Sequence, residues 1–116
     1  MQERFSVEIK PILGRENTKV LLFKGEIDIS NSHKIIEVIF PLIEEGSTDL
    51  IADFGQLDYI NSSGIFNLLR CYAKLREVGG GLKFVNIREN LLNMFDSLGI
   101  SKIFAVHKTV EDALKE

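Results

Sequence analysis

The sequence predicts an α/β domain with a mostly parallel sheet of four or five strands, an antiparallel first strand and about four helices. Three observations predict this fold class. Short apolar segments alternate with segments of helical periodicity, glycines and capping residues separate them, and a turn rather than a helix joins the first two. The predicted element order is β-β-α-β-α-β-α-β-α. Strands that alternate with helices are joined by right-handed crossovers, which implies a largely parallel sheet.

The first two elements are predicted to be strands that pair antiparallel. Apolar residues alternate with polar ones near the start of the chain, as in a half-buried or edge strand: Phe5, Val7 and Ile9. Pro11 ends this strand, a turn around Gly14 follows, and the second strand covers residues 19–27. Parallel strands need a much longer connection, so these two are expected to run in opposite directions.

The first helix is predicted to run to about Glu45, where Gly46 ends it. Three residues could cap its start, namely Ser30, Asn31 and Ser32. Its inward apolar stripe consists of Ile35, Ile39, Leu42 and Ile43. Pro41 cannot donate a hydrogen bond to the carbonyl of Glu37, so we expect a kink or a break near this residue.

The rest of the chain repeats the pattern of strand and helix. The predicted strands cover residues 49–54, 82–87 and 102–106, and the predicted helices cover residues 63–78, 89–98 and 110–114. Glycines follow the first two of these helices, at 79–81 and at Gly99. Thr109 is predicted to cap the last helix, with Asp112 in a capping-box position.

Composition limits the possible functions. The chain has 116 residues, of which 45% are hydrophobic, and a net charge of −3. This length suits one domain over residues 1–116, and no basic cluster, apolar leader or membrane-spanning run is visible. Cys71 is the only cysteine, which excludes an intrachain disulfide. We therefore expect a soluble cytoplasmic domain that binds neither nucleic acid nor membranes and needs no cofactor.

The segment Tyr59-Ile60-Asn61-Ser62-Ser63-Gly64-Ile65 is the strongest functional feature. It joins an apolar strand to a helix and places two serines where backbone N–H groups lack partners within the helix. Helix capping and phosphorylation are both reasonable explanations, because a phosphate at this position is stabilised by the helix dipole. The second strand ends in Gly25-Glu26-Ile27-Asp28. Parallel strands bring their carboxyl ends to one edge, so Asp28 and Ser62 are expected at the same end of the sheet.

These two segments also carry a family resemblance. The chain resembles a STAS domain of the anti-sigma factor antagonist type from Phe5 to Leu114. The resemblance is carried by the order of elements and by four motifs, Gly25-Glu26-Ile27-Asp28, Asn61-Ser62-Ser63-Gly64-Ile65, Gly79-Gly80-Gly81 and Leu98-Gly99-Ile100. It implies a STAS-like fold and a protein that regulates transcription through protein contacts rather than as an enzyme.

The resemblance further implies that the chain works by partner switching. Unmodified members bind an anti-sigma factor that is also a serine kinase with bound ATP or ADP, and so release a sigma factor. Phosphorylation breaks that complex, and a serine phosphatase reverses it. By position, Ser62 is implied as the phosphoacceptor and Asp28 as the acid that lies against the kinase–nucleotide site. Asn61, Ser63 and Gly64 complete the implied contact surface.

Several alternatives stay open from the sequence. The family usually has Asp where this chain has Asn61, which keeps the helix cap and loses the charge, so an antagonist without phosphoregulation is conceivable. A STAS module that senses a ligand or acts as a scaffold would be indicated by a buried apolar cavity. A serine hydrolase is disfavoured because the G-x-S-x-G pattern is absent, and His33 and His107 are the only possible bases.

Two further groups of residues have competing explanations. A metal site of Asp28, His33 and Glu37 is conceivable, but His33 near a helix start is expected to be a surface residue. Phe66 lies one turn beyond Ser62 and off the main apolar stripe. It is either a satellite core residue or an exposed anchor for a partner.

Overall fold

The computed structural model describes residues 4–115. Within this range the chain forms five strands, which are β1 (Phe5–Ile12), β2 (Arg15–Ile27), β3 (Asp49–Ile60), β4 (Gly81–Val85) and β5 (Ala105–His107). The same range forms four α-helices and one 3-10 turn, namely α1 (Lys34–Glu44), α2 (Ser62–Glu77), α3 (Glu89–Ser97), α4 (Val110–Leu114) and the turn Ile100–Lys102. The predicted order of strands and α-helices is confirmed.

The sheet has the strand order β1-β2-β3-β4-β5. β1 runs antiparallel to β2, and the other neighbouring pairs are parallel. The predicted mostly parallel sheet with an antiparallel first strand is therefore confirmed. β2 and β3 pair along almost their whole length, from Thr18 and Asp49 to Ile27 and Ile60. Their carboxyl ends consequently lie side by side at one edge of the sheet.

Several predicted strand ends were wrong. β2 begins at Arg15 rather than at residue 19, and β3 continues to Ile60 rather than ending at Phe54. The added part of β3 contains polar residues that suggested a loop, yet it pairs with the end of β2 through two register shifts. Backbone pairing across a bulge thus overrides the local residue preference. β4 ends at Val85 rather than at residue 87.

The last predicted strand also began too early. Residues 100–102 form the 3-10 turn, and β5 starts only at Ala105. Phe104 points into the core immediately before this strand and is buried. The apolar residues between 100 and 104 thus gave a strand-like pattern because they pack against the core, and not because they pair in the sheet.

The three caps predicted for α1 are wrong. The helix begins at Lys34 after a series of turns, and its N-cap residue, His33, makes no side-chain capping bond. Asn31 instead closes the loop that follows β2. Its Oδ1 atom accepts the N–H of Asp28 at 2.9 Å, and its Nδ2 donates to the carbonyl of Glu26 at 3.0 Å.

Pro41 does not break α1, which continues to Glu44. Pro41 is exposed, and so is Glu37, the residue whose carbonyl lacks its usual donor. Water can therefore take the place of the missing hydrogen bond. The predicted inward stripe of this helix is confirmed, with buried Ile35, Ile39, Leu42 and Ile43.

The predicted helix ends in the second half of the chain are confirmed. The N–H of Gly80 donates to the carbonyl of Leu75 at 2.8 Å and closes the end of α2. A Cβ on Gly80 would collide with the backbone oxygen of Thr48, so only glycine fits between α2 and β4. Thr109 caps α4 by accepting the N–H of Asp112 at 3.1 Å.

The main core lies between the sheet and the helices α1, α2 and α3. Its largest fully buried side chains are five phenylalanines, Phe5, Phe23, Phe54, Phe84 and Phe95. The Phe54 ring stands edge-on to Phe23 at 5.0 Å and to Phe84 at 5.2 Å between centroids. Each such pair contributes about 0.5–1.5 kcal/mol beyond its buried area, so the strands that carry the site are held rigidly.

The helix α4 covers the opposite face of the sheet. A smaller cluster there joins residues that alternate with the main core along the strands, namely Val20, Ile51, Val85 and Ala113. Cys71 on α2 is completely buried in the main core, where it serves as a small packing residue. The functional edge is therefore built on a sheet that is packed on both faces.

Candidate functional site

Two loops meet at the carboxyl edge of the sheet. We call residues 28–33, after β2, the acidic loop, and residues 61–64, which follow β3 and include the first residues of α2, the serine loop. The N–H of Asn61 donates to the carbonyl of Ile27 at 3.1 Å, which joins the two strand ends. The prediction that Asp28 and Ser62 come from the same end of the sheet is confirmed.

Asn61 is the residue that caps α2. Its backbone is extended, with φ −95° and ψ −178°, and its Oδ1 atom accepts the N–H of Gly64 at 3.1 Å. The hydroxyl of Ser63 donates to the same Oδ1 atom at 2.8 Å. The explanation that Ser62 or Ser63 caps the helix is therefore wrong. Asn61 caps it, and Ser63 holds the side chain of Asn61 in place.

Ser62 is the first residue of α2 and is exposed. Within residues 4–115 its hydroxyl makes no hydrogen bond, whereas the hydroxyl of Ser63 is engaged with Asn61. The positive end of the helix dipole lies at this residue and stabilises an added negative charge by about 0.3–1 kcal/mol. The two adjacent serines thus differ, since only Ser62 offers an accessible, uncommitted oxygen.

Asp28 is held in one orientation from both sides. Its Oδ1 atom accepts the hydroxyl of Ser30 at 2.5 Å and the N–H of Ser30 at 2.9 Å. Its Oδ2 atom forms an ion pair with Nη1 of Arg4 at 2.8 Å. The hydroxyl of Ser30 is the main cause that lowers the pKa of Asp28, and Arg4 adds to the effect. Asp28 therefore has two roles, since its side chain stabilises the turn after β2 and presents a negative charge in a fixed position.

Arg4 is a residue of this edge that the sequence did not reveal. Its guanidinium binds Glu26 at 2.8 Å as well as Asp28, so one cation lies against two carboxylates. Arg4 stands just before β1, 24 positions away from Asp28 by their residue numbers. Only the antiparallel pairing of β1 with β2 brings it to the acidic loop. Arg4 belongs to no sequence motif that could have identified it as a residue of this edge.

An apolar groove borders the serine loop. Phe66 is 65% exposed, so it is not a satellite core residue. The groove has a volume of about 200 Å³ and is lined by Ser62, Ile65, Phe66, Leu69, Leu98 and Ile100. Leu98 is 55% exposed and comes from the end of α3. The sequence did not place Leu98 or Ile100 here, because their approach to α2 depends on tertiary packing.

A surface cleft of about 650 Å³ lies at the opposite edge of the sheet. It is lined by residues from the starts of β2, β3 and β4 and by the glycines at 79–81. The N–H groups of all three glycines are already hydrogen-bonded, since they donate in chain order to the carbonyls of Arg76 at 3.1 Å, Leu75 at 2.8 Å and Thr48 at 2.9 Å. The glycines therefore end a helix and do not form a cradle for phosphate.

The other candidate sites do not assemble. His33 is exposed and lies 3.7 Å from Glu37, while Asp28 faces Arg4. Within residues 4–115 no group of three His, Cys, Asp or Glu side chains is placed to hold a metal ion. His107 ends β5, which β4 separates from β3. In the described part of the chain, no helix has the length and apolar character needed to cross a membrane.

The mixed sheet, its antiparallel first strand and the paired acidic and serine loops together define a STAS-type α/β domain. The family model described as the STAS domain matches residues 10–113. The chain belongs to this family.

Similar proteins are named as antagonists of anti-sigma factors. An anti-sigma-B factor antagonist from Bacillus subtilis is 28% identical over 100 residues, which cover 86% of this chain and 91% of that protein. The crystal structure of an anti-sigma factor antagonist from Mycobacterium paratuberculosis has a TM-score of 0.82 at 21% identity and covers 96% of this chain and 92% of its own.

A third similar protein has been solved in two states. SpoIIAA in its unphosphorylated form has a TM-score of 0.73 at 22% identity and covers 95% of this chain and 94% of its own. Bacillus SpoIIAA in its phosphorylated form has a TM-score of 0.65 at 23% identity and covers 95% of this chain and 97% of its own. At these identities the solved structures establish the fold.

Proposed function

We propose that this chain is an anti-sigma factor antagonist that phosphorylation of Ser62 switches off. The unmodified chain binds an anti-sigma factor that is also a serine kinase, and the bound anti-sigma factor releases its sigma factor. Phosphorylation of Ser62 breaks this complex, and a serine phosphatase restores it. The chain is then a substrate of these enzymes and not itself an enzyme.

The observation that carries this proposal is the difference between the two serines. The hydroxyl of Ser63 is bound to Asn61 at 2.8 Å, while that of Ser62 is exposed and, within residues 4–115, has no partner. A kinase needs a hydroxyl that can reach the γ-phosphate of ATP. Ser62 meets this requirement without any change in the cap of α2, whereas phosphorylation of Ser63 would disrupt it.

The surroundings of Ser62 explain how a phosphate would act as a switch. A phosphate adds about −1.5 to −2 charges and three acceptor oxygens. Ser62 lines the groove that contains Phe66 and Leu98, so a partner side chain seated there would lie next to the new charge. An apolar contact beside an unpaired dianion is strongly unfavourable. The dipole of α2 stabilises the phosphorylated free chain at the same time.

The size of the groove favours a protein partner over a small ligand. Pockets for small molecules typically have volumes of about 300–1,000 Å³, and this groove has about 200 Å³. It suits an inserted apolar side chain, with exposed Phe66 as the anchor on this side. The names of the similar proteins, including the antagonist from Bacillus subtilis, support the same partner class.

Phosphorylation with candidate kinases tests the proposal directly. The chain is incubated with Mg·ATP and each anti-sigma factor serine kinase encoded by its source organism, and the product is examined by mass spectrometry. We expect one phosphate on Ser62, which Ser62→Ala abolishes and the matched variant Ser63→Ala retains. Phosphate at other positions only, or no phosphate from any kinase that binds the chain, would contradict the switch. The second outcome would instead favour a constitutive antagonist.

Binding of a charged variant tests the electrostatic part. Ser62→Asp is expected to weaken binding to the anti-sigma factor kinase by about tenfold or more, because a charge enters the contact surface. Asn17→Asp adds the same charge at the exposed start of β2, on the opposite edge of the sheet, and is expected to bind normally. Calorimetry with both variants decides, and equal affinities for the two would refute the electrostatic explanation.

A further inference from the structure

We propose that Arg4 is a positioning residue that holds Asp28 and partly neutralises it where the partner kinase meets the acidic loop. This inference rests on the proposed function, because it assigns Arg4 a part in the same contact. Arg4 itself lies on the other side of β2 from the serine loop. It acts through Asp28 and is not a contact to the phosphorylated oxygen.

The side chain of Arg4 forms a fork between two acids. Its Nη2 atom donates to Glu26 Oε1 at 2.8 Å, and its Nη1 atom lies 2.8 Å from Asp28 Oδ2. The Asp28 side chain is 22% exposed, compared with 48% for Glu26 and 60% for Arg4. The pair with Asp28 is thus the more sheltered of the two. A planar guanidinium suits this double contact, which a lysine ammonium cannot reproduce.

The backbone is shaped to bring Arg4 to this position. The carbonyl of Arg4 accepts the N–H of Glu26 at 2.7 Å, which extends the β1–β2 ladder to the start of the acidic loop. Gly25 has φ +98°, and a Cβ at this residue would collide with the carbonyl of Arg4. Only glycine permits this close approach. The position of Arg4 therefore depends on the backbone and not only on a flexible side chain.

The charges around Asp28 define what Arg4 does. Without Arg4, the carboxylates of Glu26 and Asp28 would face the partner with no cation between them. A kinase brings a nucleotide, which is a polyanion, so two unopposed acids would repel it. Two other residues of the acidic loop, Ser30 and Asn31, form hydrogen bonds with Asp28, and both are neutral. Arg4 is the cation that the described structure places against Asp28.

Phosphorylation kinetics test this role. In Arg4→Gln, we expect the KM for phosphorylation by the cognate anti-sigma factor kinase to rise by about three- to tenfold, while kcat changes less than twofold. Arg4→Lys restores charge but not the fork and is expected to be intermediate. Arg88→Gln is the matched control, because Arg88 forms a similarly short ion pair with Asp58, at 2.7 Å, on the same edge. Its KM is expected to stay unchanged.

The alternative outcomes are distinct. An unchanged KM in Arg4→Gln, an equal rise in Arg88→Gln, or a loss of kcat with constant KM would overturn the inference. Failure of every kinase to phosphorylate the wild-type chain would refute the proposed function instead. A measurement without kinase remains in that case, namely NMR titration of the Asp28 carboxyl carbon. Its midpoint is expected to rise in Arg4→Gln but not in Arg88→Gln, and an unchanged midpoint would contradict the positioning role.

Discussion

Gly64 packs directly against Ile27, and this contact joins the serine loop to the strand that carries the acidic loop. A Cβ built on Gly64 would lie 2.8 Å from Cγ2 of Ile27 and 2.6 Å from Cγ1 of Ile60. Both isoleucines are completely buried, so neither can move aside without disturbing the core. The first turn of α2 is therefore seated on the ends of β2 and β3.

Replacement of Gly64 tests this seating. Gly64→Ala is expected to destabilise the fold by about 1–3 kcal/mol, because the added methyl group overpacks the core. Gly81→Ala is the matched control, since a Cβ there has nothing within 4 Å. Its stability is expected to change by less than about 0.5 kcal/mol. Urea denaturation measures both variants, and equal stabilities would contradict the close contact.

The cap by Asn61 gives a second prediction. Asn61→Ala removes the acceptor of the Gly64 N–H and of the Ser63 hydroxyl, and is expected to cost about 0.5–2 kcal/mol of stability. Asn61→Asp keeps an oxygen at the same place, and Asp caps a helix as well as Asn. Its stability is expected to stay within about 0.5 kcal/mol of wild type. Thermal denaturation of the two variants distinguishes them, and equal losses would show that the amide, not the acceptor oxygen, is needed.

Phe66 gives a prediction about the partner surface. Phe66→Ala is expected to weaken binding to the anti-sigma factor kinase by about 2 kcal/mol, with little loss of stability, because the ring is largely exposed. Leu13→Ala is a suitable control, since Leu13 is fully exposed in the β1–β2 hairpin, outside the carboxyl edge. Calorimetric titration compares the two. Equal affinities would exclude Phe66 as an anchor.

Cys71 gives a prediction about reactivity and pH. Burial raises the pKa of its thiol to about 12. An unfolded cysteine has a pKa of about 8.5, so the folded chain keeps a proton that the unfolded chain loses. The free energy of unfolding therefore does not depend on this thiol below about pH 8.5, and it falls as the pH rises from there towards 12.

Burial of Cys71 also predicts how the thiol reacts. We expect no reaction with a thiol reagent at pH 8 until urea unfolds the chain. Rapid labelling of the native chain would contradict complete burial.

The fold was largely predictable because its elements have strong local patterns. The stripe of α1, the glycines after α2 and the Thr109 cap each follow from a few neighbouring residues. The predicted strand ends were wrong where strand pairing or core packing, and not local residue preference, sets the structure. β3 extends to Ile60 because β2 offers a partner, and Phe104 is buried by the core without belonging to a strand. No local preference contains that information.

The features of the candidate site also fall into those that local sequence predicts and those that packing sets. The sequence by itself determined that a serine pair begins a long helix and that Asp28 ends a neighbouring parallel strand, since both follow from periodicity and strand order. Only the tertiary structure decided that Ser63 is bound to Asn61 while Ser62 is accessible, and that Leu98 joins Phe66 in one groove. It also placed Arg4 against Asp28. These relationships join residues that are distant along the chain, or depend on side-chain orientation, and both are set by packing.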